Sequence, residues 1–171
     1  VLMQGSGTFS IESVISSITP PDGKWLVIIN GAYGERILEI IERHGFAAEA
    51  IRCAANELPD LAATKAALDR GGFTHVAAVH CETTSGVMNP LAEIGVLVKQ
   101  HGCIYFVDSM SAFGGVELDF AGSRLDCLVS SANKCVQGVP GFGFVICHRE
   151  LLEASEGRAR TLSLDLTAQW R

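Results

Sequence analysis

The sequence predicts an α/β protein, a three-layer sandwich around a mainly parallel, mixed β-sheet. Apolar runs of strand length recur along the chain, and they alternate with segments whose apolar residues follow the period of an amphipathic helix. The runs are continuously apolar, which is typical of strands buried on both faces of a sheet. Strands that alternate with helices form a largely parallel sheet covered by those helices.

The first half of the chain contains three predicted strands and three predicted helices. The i, i+3, i+4, i+7 spacing marks one helical face at residues 11–18, and the Pro-Pro-Asp-Gly turn at 20–23 ends that helix. Gly45 stands where a left-handed cap would end the next helix. Pro59 is tolerated in a first helical turn and opens the third. The predicted elements are a strand at 1–5, a helix at 11–18, a strand at 25–29, a helix at 35–44, a strand at 47–51 and a helix after Pro59.

The second half continues the same alternation. Asn89 is the expected N-cap of a helix with Pro90 at its first position, and the pair His101-Gly102 ends that helix. Strands are predicted at 75–79, 103–107, 125–129 and 142–147, with a helix from about residue 149. From 158 the period is lost, and residues 165–170 have no obvious partner within the chain. We therefore expect a core domain at 1–157 and a remnant at 158–171 that leads toward further segments, in a chain that is a piece of a longer protein.

The composition narrows the possible partners. Hydrophobic residues make up 48% of the chain and charged residues 19%, with a net charge of -6 and a pI near 5.3. This charge repels nucleic-acid phosphates and anionic lipid, so neither is an expected partner. No apolar run approaches the roughly 20 residues of a membrane helix, and the six cysteines form no C-x-x-C pair. We expect a cytoplasmic protein with reduced, mostly buried thiols.

Ligands of open parallel sheets bind beyond the carboxyl ends of the strands, where helix N-termini converge. Polar residues that follow apolar runs are therefore candidate site residues. Four stretches meet this condition: 5–8, 80–86, 108–109 and 130–134.

The turn Ser6-Gly7-Thr8 precedes a helix and has amides and hydroxyls suited to an anion such as phosphate, although such a turn is also a common structural feature. No Gly-Lys-Ser/Thr follows it, and Ser10 stands where a dinucleotide fingerprint needs a third glycine. Tyr33, between two glycines, either covers a flat ligand or packs in the core.

Asp108 directly follows a buried strand, where a carboxylate needs a partner. It is a helix N-cap, a metal ligand or the partner of a protonated pyridine nitrogen. Lys134 is presented from a loop after another strand, either as a surface cation or as a partly desolvated amine that attacks aldehydes. His80 and Glu82 lack the second element that a zinc site needs.

Three stretches, at 79–87, 107–115 and 130–143, resemble the class V, fold-type I aminotransferases, and the similarity continues in register along the chain. The S-A-N-K-x-x-Q-G-V-P-G-F-G stretch at 131–143 is the most specific of them. The resemblance implies a pyridoxal 5'-phosphate cofactor. It implies catalytic roles for Lys134, which holds the cofactor as a Schiff base and moves a proton, and Asp108, which pairs with the pyridine nitrogen. The remaining implied cofactor contacts are Ser6, Gly7, Thr8, Tyr33, Thr83 and Asn133.

The resemblance also implies the substrates, a small-molecule amine and a 2-oxo acid. Within the family the chain looks most like members that transfer the amino group of 2-aminoethylphosphonate to pyruvate, giving phosphonoacetaldehyde and L-alanine in phosphonate catabolism. Alanine–glyoxylate transfer and a non-catalytic phosphate-binding α/β module remain alternatives. Family members are homodimers with the site at the subunit interface. The small domain that supplies an arginine for the substrate's anionic group is missing here, so the chain alone is expected to be weakly active or inactive.

Overall fold

The computed structural model describes residues 1–171 and has a single seven-stranded sheet. Its strands are β1 (Leu2–Gln4), β2 (Lys24–Ile29), β3 (Ala47–Arg52), β4 (His75–Val79), β5 (Ile104–Asp108), β6 (Cys127–Ser131) and β7 (Phe142–Cys147). Its helices are α1 (Gly7–Ile18), α2 (Ala32–Arg43), α3 (Leu61–Asp69), α4 (Leu91–Gln100), α5 (Arg149–Ala154) and α6 (Leu166–Trp170). The sheet order is β1-β7-β6-β5-β4-β2-β3, and only β7 runs antiparallel to the other strands.

Two hydrophobic clusters on opposite faces of the sheet make up the core. In β2, Trp25, Val27 and Ile29 belong to the cluster under α1 and α2, whereas Leu26 and Ile28 belong to the cluster under α3 and α4. Successive side chains of a strand point to opposite faces, so a strand covered on both sides must be apolar throughout. This explains the continuous apolar runs and confirms the predicted three-layer fold. None of the helices has the length and apolar character needed to cross a bilayer.

The residues predicted to open α3 and α4 have other roles in the structure. Pro59 lies outside α3, and Asp60 is the N-cap, accepting hydrogen bonds from the Ala62 and Ala63 amides at 2.8 and 3.0 Å. Asn89 does not cap α4, because its side chain is buried and donates to the Val79 carbonyl at 2.7 Å and to Asn30 Oδ1 at 3.1 Å. A buried amide side chain needs such partners, and here they tie the end of β2 to the end of β4.

The expectation that residues 165–170 have no partner within the chain is wrong. They form α6, which packs against α1, α5 and β1. Leu166 is fully buried, and its amide donates to the Ser17 hydroxyl at 3.0 Å. The helix is short and its apolar residues are few, so the pattern carried no periodic signal.

Two leucines, one in α6 and one just before it, test whether α6 is attached to the core. Leu166→Ala should lower the free energy of unfolding by about 2 to 5 kcal/mol, because it removes a fully buried side chain from the core. Leu162, which is 86% exposed, provides the matched control, and Leu162→Ala should change the free energy by less than about 0.5 kcal/mol. Urea unfolding measures both. Equal effects would show that α6 does not belong to the core.

Candidate active site

A cavity of about 260 Å³ lies at the carboxyl ends of the parallel strands. Residues at or just after the ends of five strands line it, and this is where parallel sheets bind their ligands. All eight predicted site residues line this one cavity. Its lining comprises Ser6, Gly7, Thr8, Ile11, Tyr33, Arg36, Thr83, Asp108, Met110, Ser131, Asn133 and Lys134.

The N-terminus of α1 forms one wall. Ser6 is the N-cap, but its side chain does not cap the helix, and the Gly7 and Thr8 amides donate no hydrogen bond within the protein. Free amides at the positive end of a helix are ready to bind an anion. Gly7 brings the start of α1 close to Met110, because a Cβ at this position would lie 2.3 Å from the present position of the Met110 sulfur. Because Gly7 has no side chain, Met110 packs directly against the N-terminus of α1.

Asp108, the last residue of β5, lies in the floor of the cavity and is 1% exposed. Its Oδ1 accepts a hydrogen bond from the Met110 amide at 2.9 Å, whereas its buried Oδ2 has no partner. Burial raises the pKa of this carboxyl from 3.8 to about 6, and the Met110 amide opposes this, as do the Arg36 and Lys134 charges more weakly. A buried carboxylate with one unmatched oxygen is a binding point for a cation.

Lys134 lies in the turn that follows β6. The Gly138 amide donates to the Ala132 carbonyl at 2.7 Å, and the Gln137 amide donates to the Lys134 carbonyl at 2.8 Å, so the turn is closed by its own backbone. Gln137 adopts a φ of 60°, a conformation that costs free energy for a residue other than glycine. The Lys134 side chain is exposed, contrary to the expected partial desolvation, because the surrounding residues 133 and 136–141 are exposed as well and do not cover it. Its amine forms no ion pair or hydrogen bond.

Tyr33 and Thr83 follow two adjacent strands, β2 and β4. Helix α2 begins at Ala32, three residues before the predicted start, so Tyr33 belongs to its first turn rather than to the preceding loop. The half-buried Tyr33 ring faces the cavity, and the Arg36 guanidinium lies over it at 5.0 Å from the ring centroid. Such a contact restrains an aromatic ring. Thr83 is exposed at the cavity rim.

Three lining residues, Ile11, Arg36 and Met110, lie outside the candidate stretches, and Ser131 lies within the stretch 130–134 without a predicted contact. Arg36 stands three residues after Tyr33, one helical turn further on, so the correct helix start would have identified it. Met110 carries no signal in the sequence, because its position depends on the close approach of Gly7.

Asp108 should make stability depend on pH in a defined direction. As pH rises from about 4 to about 6, the unfolded chain loses the Asp108 proton before the folded chain does, so the wild-type protein loses about 3 kcal/mol over this window. Asp108→Asn removes this loss and should be more stable than wild type at pH 7.5 but not at pH 3.5. Urea unfolding at both values measures the difference. The exposed Asp22→Asn is the control, and an equal gain there would contradict the assignment.

Known proteins resemble this chain over nearly its whole length. The family model described as Aminotransferase class-V matches residues 1–160. The chain is 53% identical over 99% of its length to 2-aminoethylphosphonate–pyruvate transaminase of Bacillus cytotoxicus, and 48% identical over 100% of its length to the protein of that name from Klebsiella pneumoniae. It covers 47% of each, so the chain spans about half the length of these curated relatives.

Solved structures agree with the sequence relatives. The crystal structure of pyridoxamine-pyruvate aminotransferase from Mesorhizobium loti superposes with a TM-score of 0.89 at 27% sequence identity. The match covers 97% of this chain and 43% of that one. With a family model that spans nearly all of its residues and a fold shared over the same range, the chain belongs to the class V aminotransferases.

Proposed function

We propose that this chain is the cofactor-binding core of a transaminase that transfers the amino group of 2-aminoethylphosphonate to pyruvate, giving phosphonoacetaldehyde and L-alanine. The observation that carries the proposal is the shared cavity of Asp108, with its unmatched buried oxygen, and Lys134, with its free amine. Residues 1–157 would form the core domain, and residues 158–171, whose helix α6 packs on that core, would lead from it toward the remaining segments.

The residues present fit pyridoxal 5'-phosphate. The free amides of Gly7 and Thr8 and the hydroxyls of Ser6 and Thr8 offer donors for its phosphate at the positive end of α1. The unmatched Asp108 Oδ2 offers an acceptor for a protonated ring nitrogen. One cavity therefore offers hydrogen-bond donors for the phosphate, a carboxylate for the ring nitrogen and the Lys134 amine for the aldehyde.

The other predicted residues fill the remaining positions around this ligand. The Tyr33 ring would cover its aromatic face, and stacking of this kind contributes about 0.5 to 1.5 kcal/mol beyond burial. Thr83 would hydrogen-bond near the ring hydroxyl, and Asn133 would lie near the phosphate. All three line the cavity, which supports these assignments.

Lys134 and Asp108 divide the chemistry between them. The cofactor, when bound, supplies an aldehyde that captures amines and a ring that withdraws electrons from the captured amine. Lys134 would hold the cofactor at its aldehyde carbon, with loss of water, until the substrate amine takes its place. Nζ would then accept the proton of the substrate carbon beside nitrogen and deliver it to the former aldehyde carbon. Asp108 would hold the ring nitrogen in its protonated form, which strengthens this electron withdrawal.

The choice of substrates rests on the relatives, and the assembly rests on exposed apolar side chains beside the site. The similar proteins from Bacillus cytotoxicus and Klebsiella pneumoniae carry the names of these two substrates. Val136 and Val139 in the Lys134 turn are 44% and 71% exposed, and apolar side chains beside a site support coverage by a second subunit. We propose a cytoplasmic homodimer, in which residues outside this chain bind the phosphonate. Light scattering at micromolar concentration tests the dimer.

Lys134 should be the residue that borohydride traps. Reduction of the protein with bound pyridoxal 5'-phosphate should add one cofactor mass to the peptide that contains Lys134, and Lys134→Ala should abolish both this product and the transaminase activity. Peptide mass spectrometry measures the product. Lys65→Ala, at an exposed lysine paired with Asp69, is the matched control and should change neither. Labelling of another lysine would contradict the proposal.

A substrate comparison tests the named reaction. The full-length protein that contains this chain should form L-alanine from 2-aminoethylphosphonate and pyruvate with a kcat/KM at least about a hundredfold above that for alanine and glyoxylate, since polar groups built to bind a phosphonate are left unpaired by alanine. Equal values would favour a different class V substrate pair.

A further inference from the structure

Glu82 is one of only two buried acidic residues, and no role in the proposed chemistry uses it. It is fully buried, directly before Thr83 in the loop after β4. Burial of a carboxylate is costly unless hydrogen bonds or nearby positive charge compensate for it. Its surroundings therefore indicate what it is buried for.

The Glu82 carboxylate lies against the N-terminus of α2. Its Oε1 accepts hydrogen bonds from the Tyr33 amide at 3.3 Å and the Thr84 hydroxyl at 3.2 Å, whereas the buried Oε2 has no partner. The N-cap of α2 is Gly31, which has no side chain to cap the helix. Glu82 performs that function from a different loop, where the positive end of the helix favours a negative charge.

Gly31 leaves the space that Glu82 occupies. A Cβ at this position would lie 2.1 Å from Glu82 Cγ and 2.3 Å from its Cδ. The φ of Gly31 is 173°, an extended conformation open to any residue, so the backbone does not require glycine here. The absence of a side chain at Gly31 is instead a steric condition for the Glu82 contact.

We infer that Glu82 is a positioning residue for the cofactor: its carboxylate fixes Tyr33 at the start of α2 and Thr83 beside it, and its charge strengthens the hold of Asp108 on a cation. This inference rests on the proposed function. The hydrogen bond at the Tyr33 amide and the steric fit to Gly31 support its first part.

Geometry and electrostatics support the second part. Asp108 pairs with Val79 at the end of β4, and the His80 amide donates to the Asp108 carbonyl at 2.7 Å, so the loop that carries Glu82 starts beside Asp108.

Asp108 faces three charged groups, of which Glu82 raises its pKa, whereas Arg36 and Lys134 lower it. A negative charge near Asp108 makes the site more attractive to a proton or to a protonated ring nitrogen. Glu82 would therefore act on the ligand through both Tyr33 and Asp108.

Glu82→Gln separates charge from shape, because glutamine keeps the Oε1 acceptor but is neutral. We expect the protection of the Tyr33 amide against hydrogen exchange to change by less than about threefold and the pKa of Asp108 to fall. The dissociation constant of pyridoxal 5'-phosphate should rise about tenfold, because one charge-assisted contact is lost. NMR of the carboxyl carbons in the ligand-free protein and fluorescence titration with the cofactor measure these quantities.

Gly31→Ala tests shape alone, because it displaces the Glu82 carboxylate without altering its charge. The Tyr33 amide should exchange about tenfold faster or more. Thr84→Val, which removes only the other bond to Oε1, is the control and should leave that exchange unchanged. An unchanged Asp108 pKa in Glu82→Gln, or unchanged Tyr33 exchange in Gly31→Ala, would overturn the inference, and the Glu82→Gln result stands alone if Gly31→Ala does not fold.

The two levels of the proposal fail differently. Wild-type protein that binds no pyridoxal 5'-phosphate would overturn the proposed function. Wild-type protein that binds it, with variants whose Tyr33 exchange and Asp108 pKa match wild type, would overturn only the role of Glu82.

Discussion

The site depends on a carboxylate that folding buries and leaves half unsatisfied. Asp108 ends a central strand, gives one oxygen to the Met110 amide and keeps the other free of any partner. Core packing alone would not retain such a group, because its burial opposes folding at neutral pH. In the proposed function, binding of a cationic ring would offset that cost and would link the stability of the protein to occupancy of its cavity.

The topology of the sheet brings the other groups to Asp108. Six strands share one direction, so their carboxyl ends meet at one edge although the residues that follow them are far apart in the chain. Glycines then allow unusually close approaches: Gly7 admits Met110 beside α1, and Gly31 admits Glu82 beside α2. Each glycine thus fits a helix N-terminus to a loop that follows another strand, β5 for Gly7 and the adjacent β4 for Gly31.

Much of this could be predicted from the sequence. The continuous apolar runs identified the strands, and the polar residues after them identified Ser6, Asp108 and Lys134 as neighbours in one cavity. Features that depend on tertiary contacts could not be predicted. Asn89 forms a hydrogen bond with Asn30 instead of capping a helix, and Leu166 is buried although its own helix, α6, is too short to show a period. The local sequence pattern predicts the secondary structure that one segment favours. The exposure of Lys134 depends instead on the residues that surround its turn.

The state of the ring nitrogen tests the central claim most directly. Nitrogen NMR of pyridoxal 5'-phosphate labelled at the ring nitrogen, bound to the protein and titrated from pH 5 to pH 9, reports its protonation. We expect the nitrogen to remain protonated throughout this range, because the unmatched Asp108 oxygen holds the proton there. Deprotonation at the pH of the free cofactor, or an identical titration in the Asp108→Asn protein, would contradict the account.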